Sequence, residues 1–132
     1  EYLKHLHDNT LVSILDDVKA KAGDVFFLET GTVHAIGAGV LLAEIQQTSD
    51  ITYRIYDFDR VDAAGNTREL HVDLALDAIN YDVVETQKKY KTQENVFNDV
   101  VDCPYFTTSF ISLNGSAIFS KTTLAYSLGT ST

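Results

Sequence analysis

Gly23-Asp24-Val25-Phe26-Phe27-Leu28-Glu29-Thr30-Gly31-Thr32-Val33-His34 is the stretch whose reading decides the fold. A β-rich apolar run, 25–28, enters the turn Glu29-Thr30-Gly31-Thr32, and the turn delivers one histidine. Residues 33–36 read as a strand, Gly37-Ala38-Gly39 as a tight turn and 40–47 as a second strand. Thr48-Ser49-Asp50 turns the chain again, and 51–58 reads as a third strand. Short strands at such close spacing predict an antiparallel sandwich or barrel.

Working outward, Leu3, Leu6, Leu11, Ile14 and Leu15 recur at helical spacing, so residues 1–20 read as helical. Asp8-Asn9-Thr10 breaks that run and offers a cap for a second short helix. Asp62-Ala63-Ala64-Gly65-Asn66 is a polar loop. Residues 69–79 then read as one helix, with Leu70, Leu74, Ala75, Ala78 and Ile79 on one face. The polar stretch 81–101 reads as a long surface connection. Strand character returns at 105–111, turns at Asn114-Gly115 and resumes at 117–119, while 124–132 is weakly β.

The chain has 132 residues, 45% hydrophobic and 22% charged, a balance that suits one soluble domain with a real core. A net charge of −9 argues against nucleic acid or an anionic membrane as partner, since both need a basic footprint. No apolar run is long enough to span a bilayer, and the start lacks the apolar segment of a signal peptide. The single cysteine, Cys103, excludes an internal disulfide and fits a reducing cytoplasm. Beside Pro104 it reads as a small packing residue rather than a nucleophile. With no methionine, not even at the start, the chain is expected to be a piece of a longer one.

Two of the strand-like runs carry charges that are costly to bury without partners. Side chains alternate along a strand, so Glu44 and Gln46 share one face, and Thr52, Arg54 and Tyr56 share another. If His34 turns the same way, histidine, carboxylate and arginine meet in one concave site. Imidazole and carboxylate suit zinc. An arginine suits an anion or a developing oxyanion. Against this stands a plainer reading, in which Glu44 and Arg54 form an exposed cross-strand pair and His34 is a hydrogen-bonded core residue. One histidine and one glutamate do not close a metal site.

The spacing Gly23…Gly31-x-x-His34 resembles the second motif of the cupins, G-x5-P-x-G-x2-H-x3-N, with Glu29 in place of proline and Ala38 in place of asparagine. Together with Ala43-Glu44-Ile45-Gln46-Gln47, Thr52-Tyr53-Arg54-Ile55-Tyr56-Asp57-Phe58-Asp59-Arg60, Arg68-Glu69-Leu70-His71 and Cys103-Pro104-Tyr105-Phe106-Thr107, it is similar to the type I mannose-6-phosphate isomerases over most of the chain. That resemblance implies a mainly β, cupin-like jelly roll, incomplete here. Residues 1–22 would be a helical lead-in and 23–60 the end of the catalytic barrel. A helix and connection would follow over 61–101, then the first strands of a second cupin-like region over 102–132. It implies a zinc-dependent aldose–ketose isomerase that interconverts mannose 6-phosphate and fructose 6-phosphate through an enediol.

On that resemblance His34 is a metal ligand and Arg54 lies beside the reacting carbons. Glu44 is a site carboxylate of undecided role, and Arg60 is a basic residue near the sugar phosphate. The family's earlier ligands, a Gln-x-His pair and a glutamate, have no counterpart here. His5-Leu6-His7 reads as a surface helix pair and His71 as a packing or capping residue. Such a piece is expected to bind zinc weakly and not to turn over, and its open sheet edges would favour self-association. The alternatives are a non-catalytic, cupin-like module that binds sugars or regulates, and a structural segment with no site of its own.

Overall fold

The computed structural model describes residues 2–8, 10–49 and 51–116. The chain divides into two compact units, Glu1–Lys88 and Lys89–Thr132.

Unit one opens with helix α1, Tyr2–His7, followed by a 3-10 turn, Leu11–Ile14. The break falls where the polar residues after His7 predict it. Thr10 precedes the 3-10 turn but makes no side-chain cap; its hydroxyl instead meets Nδ1 of His5 at 2.9 Å. From Leu15 the chain runs extended rather than helical to residue 20. Strand β1, Val25–Phe26, pairs antiparallel with β2, Gln87–Lys88. The polar stretch expected to be a surface connection therefore supplies a strand here, and another in unit two. Its side chains gave no apolar signal, because the ladder is made by the backbone.

Between β1 and β2 lies helix α2, Val72–Leu76. It is much shorter than the 69–79 predicted. At its start, the Arg68 side chain and the His71 amide are engaged with the preceding segment, so the first helical bond is the one from the Ala75 amide to the His71 carbonyl. At its end, the amides of Ala78 and Ile79 both turn back to the carbonyl of Ala75, and the chain leaves to meet Gly31. Only Ala75 of the predicted apolar face is fully buried, while Leu70 and Leu74 are exposed. Leu11 is the other buried apolar residue among the described residues of this unit.

The three strands expected at 33–36, 40–47 and 51–58 are not formed. The turn at Ala38-Gly39 is present, but the runs around it carry no ladder, and 34–49 is exposed throughout. Leu41, Ile45 and Ile51 stand open to solvent. A strand needs a neighbouring strand for its N–H and C=O groups, and among the described residues no strand pairs with these runs.

Unit two is a hairpin. Strand β3, Asn98–Asp102, pairs antiparallel with β4, Thr107–Phe110, with a bulge between Asp99 and Val101. Side chains reinforce the register, since Thr107 Oγ1 donates to Asp102 at 2.7 Å and Ser109 Oγ to Asp99 at 3.2 Å. Cys103 sits in the connecting turn, where its amide and thiol both donate to the carbonyl of Phe106, as befits a turn residue rather than a thiolate. Asn98 is 4% exposed and acts as the polar centre. Its Nδ2 donates to the carbonyls of Gln93, Val96 and Phe110, and its Oδ1 accepts from the amide of Gln93. The predicted turn at Asn114-Gly115 is tied by the Asn114 amide to Asn95 Oδ1. The strand expected at 117–119 and the weak β segment at 124–132 lie outside the described residues.

The fold class is thus small antiparallel strand pairs with a few short helices. Among the described residues no barrel closes.

Candidate functional site

Gly31 sets the first corner of the site. Its φ is +88°, and a Cβ there would lie 2.4 Å from the carbonyl oxygen of Ala78 and 2.9 Å from the amide of Asn80. Only glycine allows that approach, and it places the Gly31 carbonyl to accept the Asn80 amide at 2.9 Å. The turn that carries His34 is therefore docked on the exit of α2.

His34 is exposed, not a core residue. Its Nδ1 lies 2.8 Å from the carbonyl of Thr32. A carbonyl only accepts, so Nδ1 is the donor, and in the neutral ring this leaves the lone pair on Nε2. This is the tautomer that a histidine ligand adopts when its other nitrogen is held by a backbone acceptor.

Arg54 is half-buried. Its amide donates to Nδ1 of His71 at 3.2 Å, and its carbonyl accepts the His71 amide at 2.7 Å. His71 immediately precedes α2, and its carbonyl accepts the Ala75 amide at 2.9 Å. The entrance of α2 thus holds Arg54 while its exit holds the glycine turn. Among the described residues no hydrogen bond or ion pair occupies the Arg54 guanidinium.

Three residues on, Asp57 gathers positive charge. Arg68 forms a two-point pair with its carboxylate, Nε donating to Oδ2 at 2.7 Å and Nη2 to Oδ1. The Asp57 carbonyl accepts the amide of Arg60 at 3.1 Å. Phe58 and Asp59 between them have φ of +54° and +52°, a tight left-handed corner. The Arg60 guanidinium rests over the Phe58 ring, 5.3 Å from its centre. The hydrogen bond from Arg68 is the main cause that holds the Asp57 carboxyl below its ordinary range, helped by the charges of Arg68, Arg54 and Arg60. The same bond raises the Arg68 guanidinium. The charges of Arg54, Arg60 and Arg68 thus all act on the one carboxylate of Asp57.

Glu44 lies in the exposed run 34–49 and makes no ion pair with Arg54, so the expected cross-strand pair is absent. Among the described residues no hydrogen bond joins His34, Glu44 and Arg54. Nor do any three of His, Cys, Asp and Glu among them group as metal ligands, so the donors present offer zinc one imidazole and not a site. His5 is engaged with Thr10, and His7 is exposed at the end of α1. No helix among the described residues is long and apolar enough to cross a membrane.

Sequence reasoning missed the part played by Asp57, Arg68 and His71. The charge alternation across Arg54, Asp57, Arg60 and Arg68 was the available signal for the first two. The contact of His71 with Arg54 spans seventeen positions and has no local signature.

No family model and no solved structure matches the chain. Curated relatives do. The chain is 41% identical over 107 residues to mannose-6-phosphate isomerase ManA of Bacillus subtilis, across 79% of this chain and 34% of that protein. It is 38% identical over 111 residues to a mannose-6-phosphate isomerase of Streptococcus mutans, across 83% of this chain and 35% of that protein. A probable mannose-6-phosphate isomerase of Bacillus subtilis, GmuF, is 34% identical over 122 residues, across 90% of this chain and 39% of its own length. The resemblance to mannose-6-phosphate isomerases read from the sequence is borne out, and the chain spans about a third of the length of the curated relatives it matches.

Proposed function

We propose that this sequence, similar along most of its length to mannose-6-phosphate isomerases, carries part of the site of an aldose–ketose isomerase. Its substrates would be mannose 6-phosphate and fructose 6-phosphate, and its setting cytoplasmic. The observation that carries the proposal is Arg54, a half-buried cation with both backbone polar groups held by His71 and no hydrogen bond or ion pair at its guanidinium among the described residues.

Isomerisation moves the carbonyl between C1 and C2. A proton leaves C2, negative charge grows on the former carbonyl oxygen, and the proton returns at C1 through an enediol. A cation held in place beforehand stabilises that charge without reorganising during the step. Arg54 is given this role, and Glu44 remains the candidate for moving the proton. Arg60, carried on the corner after Asp57, is the candidate for the phosphate of the substrate.

A bound zinc would supply Lewis-acid polarisation of the carbonyl. His34 would offer it one ligand through Nε2, and among the described residues no group of His, Cys, Asp and Glu side chains completes a site around it. The same reasoning makes these residues inactive by themselves. The fold proposed for the working site is a cupin barrel, in which the unpaired runs at 33–58 find their neighbours.

The test uses a polypeptide of the relatives' length that carries these 132 residues. It should convert mannose 6-phosphate to fructose 6-phosphate and lose activity to a chelator. Arg54→Ala should lower kcat by about a hundredfold or more. Wild-type turnover in that variant rejects the role of Arg54. Saturable binding of the sugar phosphate with no product would replace the enzyme reading with that of a sugar-binding module.

A further inference from the structure

We propose that His71 is a positioning residue for Arg54, acting through its imidazole rather than only as the residue that opens α2. The proposal rests on the role given to Arg54 above. The Arg54 backbone lies in a run with no ladder, and its hydrogen bonds among the described residues are the two to His71. One of these bonds is made by the side chain. Nδ1 accepts the Arg54 amide at 3.2 Å, which requires a neutral ring with its proton on Nε2. The carboxylate of Glu69, 4.0 Å from Nε2, favours the proton there.

The ring is well placed for this work. The His71 side chain is 27% exposed, and its ring centre lies 6.2 Å from that of Tyr53, the residue before Arg54. Its backbone is anchored by the amide of Ala75, which at 1% exposed is the most buried residue described. A fixed post therefore grips both polar groups of a backbone that no other described residue holds. His34 has the opposite tautomer: His71 spends Nδ1 as an acceptor, while His34 spends Nδ1 as a donor and keeps Nε2 open.

Asparagine distinguishes the imidazole contact from a general packing role, because its Oδ1 can stand where Nδ1 stands. Amide hydrogen exchange by NMR on the 132-residue chain reads the contact directly. In His71→Ala the Arg54 amide should exchange roughly two- to tenfold faster, the loss of one ordinary hydrogen bond. In His71→Asn it should stay near the wild-type rate. The amide of Ala78, bonded to the carbonyl of Ala75, serves as the control that α2 is intact in both. In the isomerase-length polypeptide, His71→Ala should lower kcat by about tenfold or more with little change in KM, and His71→Asn should recover most of it. Equal exchange at Arg54 in all three chains overturns the proposal, as does undiminished kcat in His71→Ala when Arg54→Ala is crippled. If Arg54→Ala is itself fully active, the function proposed for Arg54 fails, and the exchange rates still decide whether His71 holds its backbone.

Discussion

Gly31→Ala tests the joint between the glycine turn and α2. The added Cβ would meet the Ala78 carbonyl oxygen at 2.4 Å and the Asn80 amide at 2.9 Å, and both are backbone atoms that cannot swing away. Holding an alanine at a φ of +88° costs about 1–2 kcal/mol. Relieving the contact breaks the Asn80-to-Gly31 hydrogen bond, worth about 1 kcal/mol. The total is about 2–3 kcal/mol. With a urea slope of about 1.5 kcal/mol per molar, the unfolding midpoint should fall by roughly 1.3–2 M. The chain has seven tyrosines and no tryptophan, so tyrosine fluorescence and far-ultraviolet circular dichroism follow the transition. Gly39→Ala is the control: its φ is +79° and a Cβ there meets nothing within 4 Å, so only the backbone strain applies. Its midpoint should fall by only about 0.7–1.3 M, the strain alone. Equal losses in the two variants would refute the claim that Gly31 is required for close approach.

Two further outcomes follow from the contacts of each unit. Asn98→Ala leaves the backbone groups of Gln93, Val96 and Phe110 without their partner and should destabilise the β3–β4 hairpin by about 2–4 kcal/mol, read as lost amide protection at 98–110 with protection at β1 and β2 unchanged. Asp57 should titrate below the ordinary carboxylate range. Because its folded value is the lower one, the unfolded chain binds the proton more readily, so stability is present above about pH 4 and is lost as pH falls through the folded value. Arg68→Ala should return the Asp57 carboxyl toward its ordinary range, followed by carbon-13 NMR of the side chain.

The elements legible in the sequence were those set by local chemistry. Gly23 and Gly31 both adopt the positive φ that their turns demand, the polar residues after His7 end α1, and Asp62 closes its loop by accepting the amides of Ala64 and Asn66. The runs at 33–58 have strand composition, yet composition cannot supply the neighbour that a ladder needs. β2 and β3 were hidden for the opposite reason. Gln87–Lys88 is polar and its ladder is made by the backbone, and Asn98, the buried centre of unit two, looks like a loop residue until four hydrogen bonds are satisfied around it. At the candidate site, the residue types and spacing were legible, while the helix that holds Arg54 at one end and Gly31 at the other was legible only as a stretch of apolar periodicity.

The pairing of β1 with β2 has a consequence for the order of folding. Val25 and Lys88 are partners about sixty residues apart, joined by a ladder only two residues long on each strand. Closing so long a loop costs entropy before any bond repays it. The β3–β4 hairpin, closed by a short turn after Asp102, forms on the microsecond scale and waits for nothing distant. On a ribosome, residues 25–26 must remain unpaired until Lys88 has emerged, and the His34 turn must wait for Asn80. The earlier strand is therefore completed late, which leaves the apolar run Val25-Phe26-Phe27-Leu28 without its partner strand until about sixty further residues have been made.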